Sequence, residues 1–65
     1  MELTINGDLC EAQALTLADL LLERGYTAQC YATAVNGDLV HAIDRSSCLL
    51  VAEDKIEILM PMQGG

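Results

Sequence analysis

The sequence predicts an α+β domain in which one main helix lies across one face of a mixed sheet of four to five strands, followed by a flexible C-terminal tail. Three observations carry that prediction. Asn6-Gly7-Asp8 and Asn36-Gly37-Asp38 each put tight-turn chemistry between two apolar segments, because Asn and Gly both tolerate the positive φ of a primed hairpin turn. Between them lies one helical stretch, Leu17 to Arg24. Lys55 to Met60 then alternates apolar and polar residues and runs directly into Pro61-Met62-Gln63-Gly64-Gly65. Two hairpins flanking one helix cannot form a run of right-handed βαβ units, so a mixed sheet with the helix on one face is the economical packing.

Each element has its own local cause. Met1, Leu3 and Ile5 alternate with Glu2, Thr4 and Asn6, the period of a strand with one buried face. The return strand, Asp8 to about Gln13, is polar enough to be an edge, with Leu9 on one row. Thr16 opens the helix as a T-x-x-D capping box with Asp19, and Leu17, Leu20, Leu21 and Arg24 share one helical face. Gly25 supplies the left-handed stop. Residues 26–30 read as a loop, Tyr31 to Val35 as a third strand and Leu39-Val40 as a short fourth. His41 to Cys48 has no clear period, with a single helical turn expected around Asp44 to Ser47. Leu49-Leu50-Val51 is a brief apolar run and Glu53-Asp54 a turn. In the last strand Ile56, Ile58 and Met60 fall on one side, and Lys55, Glu57 and Leu59 on the other. The order ββαβ(β)β is that of the β-grasp, or ubiquitin-like, fold, with the domain at 1–60 and the tail at 61–65.

Composition bounds the function. Sixty-five residues make one domain, with 52% apolar residues but two Tyr and no Phe or Trp, so the expected core is Leu, Ile, Val and Met. Ten acids against three bases give a net charge of −7. Nucleic acid and anionic membrane surfaces, which demand clustered Lys and Arg, are therefore not expected partners, whereas a partner with a basic face would be steered in. Cys10, Cys30 and Cys48 form no C-x-x-C, and with a single His they make neither a disulfide framework nor a zinc site. No apolar run reaches the ~20 residues of a membrane span, and the acidic N-terminus lacks a signal peptide's basic region, so a cytoplasmic location is expected.

The tail supplies the chemistry. Five extended residues reach ~16 Å, Pro61 ends the strand before them, and two glycines are thin enough to thread a narrow channel. The Gly65 carboxylate becomes an acyl donor only when a phosphate or AMP is attached to it in an enclosed site. The dipeptide by itself is more simply a frayed terminus.

Taken together, L-T-I-N-G at 3–7, T-L-A-D-L-L at 16–21, A-V-N-G-D-L-V at 34–40, K-I-E-I-L at 55–59 and P-M-Q-G-G at 61–65 resemble the ThiS family, sulfur carriers for the thiazole of thiamine biosynthesis. The resemblance spans nearly the whole chain. It implies a protein cosubstrate and not an enzyme, with no stably bound cofactor. An E1-like activating enzyme of the ThiF type would adenylate Gly65 with ATP and magnesium, a sulfur donor protein would convert it to a thiocarboxylate, and a thiazole synthase of the ThiG type would take the sulfur. Met62, Gln63 and Gly64 would be the arm that these partners hold. Two family features are missing: His41-Ala42 stands where many relatives have Pro-Arg, and Glu53-Asp54 where they have a Gly-Asp turn.

Leu59, on the outer side of the last strand, and Ala34, on the outer side of the third, are candidates for partner contact, with Leu9 a third member of the same face. Met60 fits a contact or the core. His41 reads as a surface or loop histidine, and Cys48, beside Leu49-Leu50, as a packed thiol rather than a sulfur relay. Rival functions are a carrier for molybdopterin or amino-acid synthesis, a tag joined to lysines through Gly65, and a β-grasp binding module whose Gly-Gly is incidental.

Overall fold

The computed structural model of the chain describes residues 1–26 and 31–60. Its elements are β1 (Glu2–Ile5), β2 (Asp8–Glu11), α1 (Leu17–Glu23), β3 (Ala32–Val35), β4 (Asp38–Val40), a 3-10 helix (Ala42–Ser47) and β5 (Lys55–Leu59). The strands form one sheet in the order β2-β1-β5-β3-β4, with β5 parallel to β1 and every other pair antiparallel. The expected mixed sheet and single main helix are both present, and β2 is an edge as its polarity implied. The proposed tail at 61–65 lies outside the described residues.

The local signals act as read. Asn6 and Gly7 have φ of 52° and 86°, and Asn36 and Gly37 of 53° and 86°, so each dipeptide occupies both central positions of its turn. Thr16 Oγ1 accepts from the Asp19 amide at 3.2 Å, and Gly25 stops the helix at φ 82°. A seven-residue helix is too short to stand alone. Leu17, Leu20 and Leu21 hold it, buried against Leu3, Ile5, Ile56 and Ile58 from the sheet and Leu50 from the 3-10 side.

Four expectations are corrected. β2 ends at Glu11 because Ala12 turns fully into the core, while the Gln13 and Ala14 amides donate to the Glu23 carboxylate instead of a strand. The single turn expected near Asp44 is a six-residue 3-10 helix beginning at Ala42. Alanine takes the places expected of valine and methionine: Ala12 and Ala14 are buried, whereas Val35, Val40 and Met1 are only partly so. Met60 is exposed, since β5 ends one residue earlier and none of the described residues covers that position.

Candidate recognition surface

With the helix on one side, no described element covers the other side of the sheet, and β5 divides its residues between the two. Ile56 and Ile58 point into the core and Lys55, Glu57 and Leu59 outward. The ladder then places neighbours. Leu59 pairs with Ala32 and Glu57 with Ala34 on β3, and Ala34 pairs in turn with Leu39 on β4. Paired side chains on one face lie about 5 Å apart and diagonal ones about 7–8 Å, so Leu59, Ala32, Ala34 and Leu39 make one apolar area. Leu59 is 67% and Leu39 61% exposed.

Both expected contacts, Ala34 and Leu59, therefore share this surface. Leu9 does not. It is equally exposed and on the same face, but it pairs with Thr4, which pairs with Lys55 at the opposite end of β5, so a polar row, strand β1 and the length of β5 separate it from Leu59. Leu39 was missed at the sequence level although its signal was there: a two-residue Asn-Gly turn forces Val35 opposite Asp38 and hence Ala34 opposite Leu39.

The surface is anchored from behind. Asp54, buried just before β5, accepts from Asn36 Nδ2 at 2.8 Å and from the Val51 amide at 2.9 Å. Asn36 Oδ1 accepts from the Lys55 amide at 2.9 Å, and Asn6 accepts from and donates to the Ile58 backbone at 2.8 and 3.1 Å. Arg45 is a second residue that sequence reasoning passed over. Its Nε donates to Thr33 Oγ1 at 3.1 Å, its guanidinium donates to the Tyr31 carbonyl at 2.9 Å, and its planar head lies 4.6 Å from the Tyr31 ring centroid. That fastens the 3-10 helix to β3 and the residue before it.

The remaining candidates separate cleanly. His41 is exposed and precedes the 3-10 helix, its carbonyl accepting from the Asp44 amide. Cys48 is half-buried, and burial first, then the nearby Asp54 carboxylate, pushes its thiol pKa up, away from the thiolate a sulfur relay needs. Met62, Gln63, Gly64 and Gly65 lie outside the described residues, as does Cys30. No helix among the described residues is long and apolar enough to cross a membrane.

The family model of the ThiS family matches residues 3–65. The chain belongs to the ThiS family. The crystal structure of a ThiS thiamine biosynthesis protein from Geobacter metallireducens superposes with a TM-score of 0.86 at 25% identity, covering 100% of both chains. No curated protein matches. Membership in the ThiS family makes the chain a small sulfur carrier protein of thiamine biosynthesis, on a ubiquitin-like β-grasp scaffold.

Proposed function

We propose that this protein is loaded with sulfur at Gly65 and donates it, as a thiocarboxylate, for thiazole formation. The observation that carries the reading is that the ThiS family match runs through Gly64 and Gly65. A carboxylate attacks the α-phosphate of ATP with loss of pyrophosphate, and the resulting acyl-adenylate is open to a sulfur nucleophile because glycine puts no side chain beside the carbonyl. The activating enzyme, of the E1-like ThiF type, supplies ATP and magnesium. A sulfur donor protein supplies the sulfur, and a thiazole synthase of the ThiG type consumes it. The carrier contributes a thin arm, Met62 to Gly65, and a surface by which partners find it. Leu59, Ala32, Ala34 and Leu39 suit that surface because Leu59 is on the strand that leads into the arm and the other three lie on the two strands beside it, β3 and β4, and desolvating them on docking is favourable. The net charge of −7 favours partners with a basic rim.

The test is the intact mass of the protein after incubation with its native activating enzyme, ATP, magnesium and a sulfide source. A gain equal to exchanging one oxygen for sulfur, confined to the C-terminal peptide, is expected, and deletion of Gly65 should abolish it without moving the melting temperature. No gain from an activating enzyme that loads another carrier would leave a β-grasp binding module.

A further inference from the structure

Two Asn-Gly turns flank β5, one at the end of β1 and one at the end of β3, and in both the Asn side chain is bonded at its oxygen and its nitrogen. The two differ in what the nitrogen faces. Asn6 Nδ2 donates to a backbone carbonyl, that of Ile58. Asn36 Nδ2 donates at 2.8 Å to the carboxylate of Asp54, which is 6% exposed and whose other oxygen holds the Val51 amide. Asn36 also ties the start of β5 twice more, through its backbone amide to the Lys55 carbonyl at 2.7 Å and through Oδ1 to the Lys55 amide.

Asn-Gly is also the dipeptide whose side-chain amide is most open to its own backbone, since glycine sets no Cβ beside the attacking nitrogen. The Gly37 nitrogen bonds to Asn36 Cγ, the Cγ–Nδ2 bond breaks, and ammonia leaves carrying the backbone amide proton. Water then opens the cyclic imide at either carbonyl, giving aspartate or isoaspartate. The sequence is a hydrolysis, with no change of oxidation state. We propose that Asn36-Gly37 is a modification site at which this loss of ammonia breaks the side-chain tie between the β3–β4 turn and the buried Asp54 and loosens the start of β5.

The direction follows from the partners. After conversion a carboxylate stands where a donor stood 2.8 Å from a buried carboxylate, so Asp54 loses a hydrogen bond and gains a like charge. The Val51 turn that Asp54 organises loosens with it. At Asn6 the same conversion sets oxygen against a neutral carbonyl, a smaller penalty. Because both ends of the Asn36 amide are held, cyclisation requires the start of β5 to open first, which makes the reaction slower in the folded protein than in the unfolded chain. None of this depends on the sulfur chemistry at Gly65.

The experiment follows peptide masses during prolonged incubation in warm, mildly alkaline buffer, folded and in urea, and compares three variants by thermal unfolding. The peptide containing Asn36-Gly37 should acquire the mass of an amide-to-acid conversion, faster in urea. Asn36→Asp should lower the unfolding midpoint by roughly 5 °C or more, and Asn6→Asp by clearly less. Adding Asp54→Asn to Asn36→Asp should restore most of the loss, because the new amide can donate to the new carboxylate while its oxygen keeps the Val51 bond. The proposal is overturned if the Asn36 peptide gains no mass in the folded protein, if Asn36→Asp melts with the wild type or no lower than Asn6→Asp, or if the double variant recovers nothing. Should Asn36→Asp fail to fold, a folded double variant supports the proposal and an unfolded one sinks it.

Discussion

Glu53 holds the turn before β5 at φ 72°, a left-handed backbone that costs a residue with a Cβ about 1–2 kcal/mol. Its amide donates to the Glu2 carbonyl at 2.7 Å, so the conformation is needed to join that turn to β1. Glu53→Gly should therefore stabilise the domain by about 0.5–1 kcal/mol, the relief of strain less the entropy a glycine adds to the unfolded chain; chemical denaturation measures it, and an unchanged midpoint would show the strain to be absent. Cys48 offers a second residue-level check. With its folded pKa raised, the protonated thiol is favoured in the native state, so its contribution is intact below the ordinary thiol pKa and is lost as pH rises through the folded value. Alkylation of Cys48 should accordingly reach half its maximal rate at a higher pH in the folded protein than in urea. Equal midpoints would contradict the burial that causes the shift.

At the scale of elements, α1 is legible from Thr16 to Gly25 because every signal in it is local: cap, leucine face and left-handed stop. Its stability is not local. Thr16→Ala removes one side-chain acceptor and should cost about 1 kcal/mol, read as a lower denaturation midpoint with an unchanged fold. Leu20→Ala removes a fully buried side chain and should cost about 2–5 kcal/mol, enough to unfold much of a domain whose stability is on the order of 5 kcal/mol. The difference between the two variants measures how far packing, rather than propensity, holds the helix. The 3-10 helix is the opposite case. Residues 41–48 have no period to read, and what fixes them is Arg45 reaching Thr33 on β3 and Tyr31 just before it.

At the scale of the whole molecule, one face of the sheet is spent on the helix and no described element covers the other, so a partner docking there would meet β5 and its neighbours directly. Leu39→Asp puts a charge in that surface without touching the core, and Leu39 is well exposed. It should therefore slow sulfur loading by the activating enzyme at least tenfold, a loss of about 1.4 kcal/mol of docking energy, while leaving the melting temperature within a degree or two. Leu9→Asp, on the same face but across the Thr4–Lys55 row, should have little effect. Equal effects from both would mean that the whole face, not its β3–β5 side, is recognised.

What the sequence determined by itself is everything encoded within a few residues: two primed turns, a capped and stopped helix, alternation in β1 and β5, and a terminal motif specific enough to point to the family. Those features depend on backbone φ preferences and side-chain period, which neighbours along the chain settle. Only the tertiary structure decided that β5 lies between β1 and β3 and that Leu39 joins Ala34 and Leu59 while Leu9 stays apart. It alone buried Asp54 beneath Asn36 and sent Arg45 to Tyr31. These are contacts between segments far apart in the chain, and their partners are chosen by which arrangement buries the leucines and satisfies the polar groups together, a choice no short stretch contains.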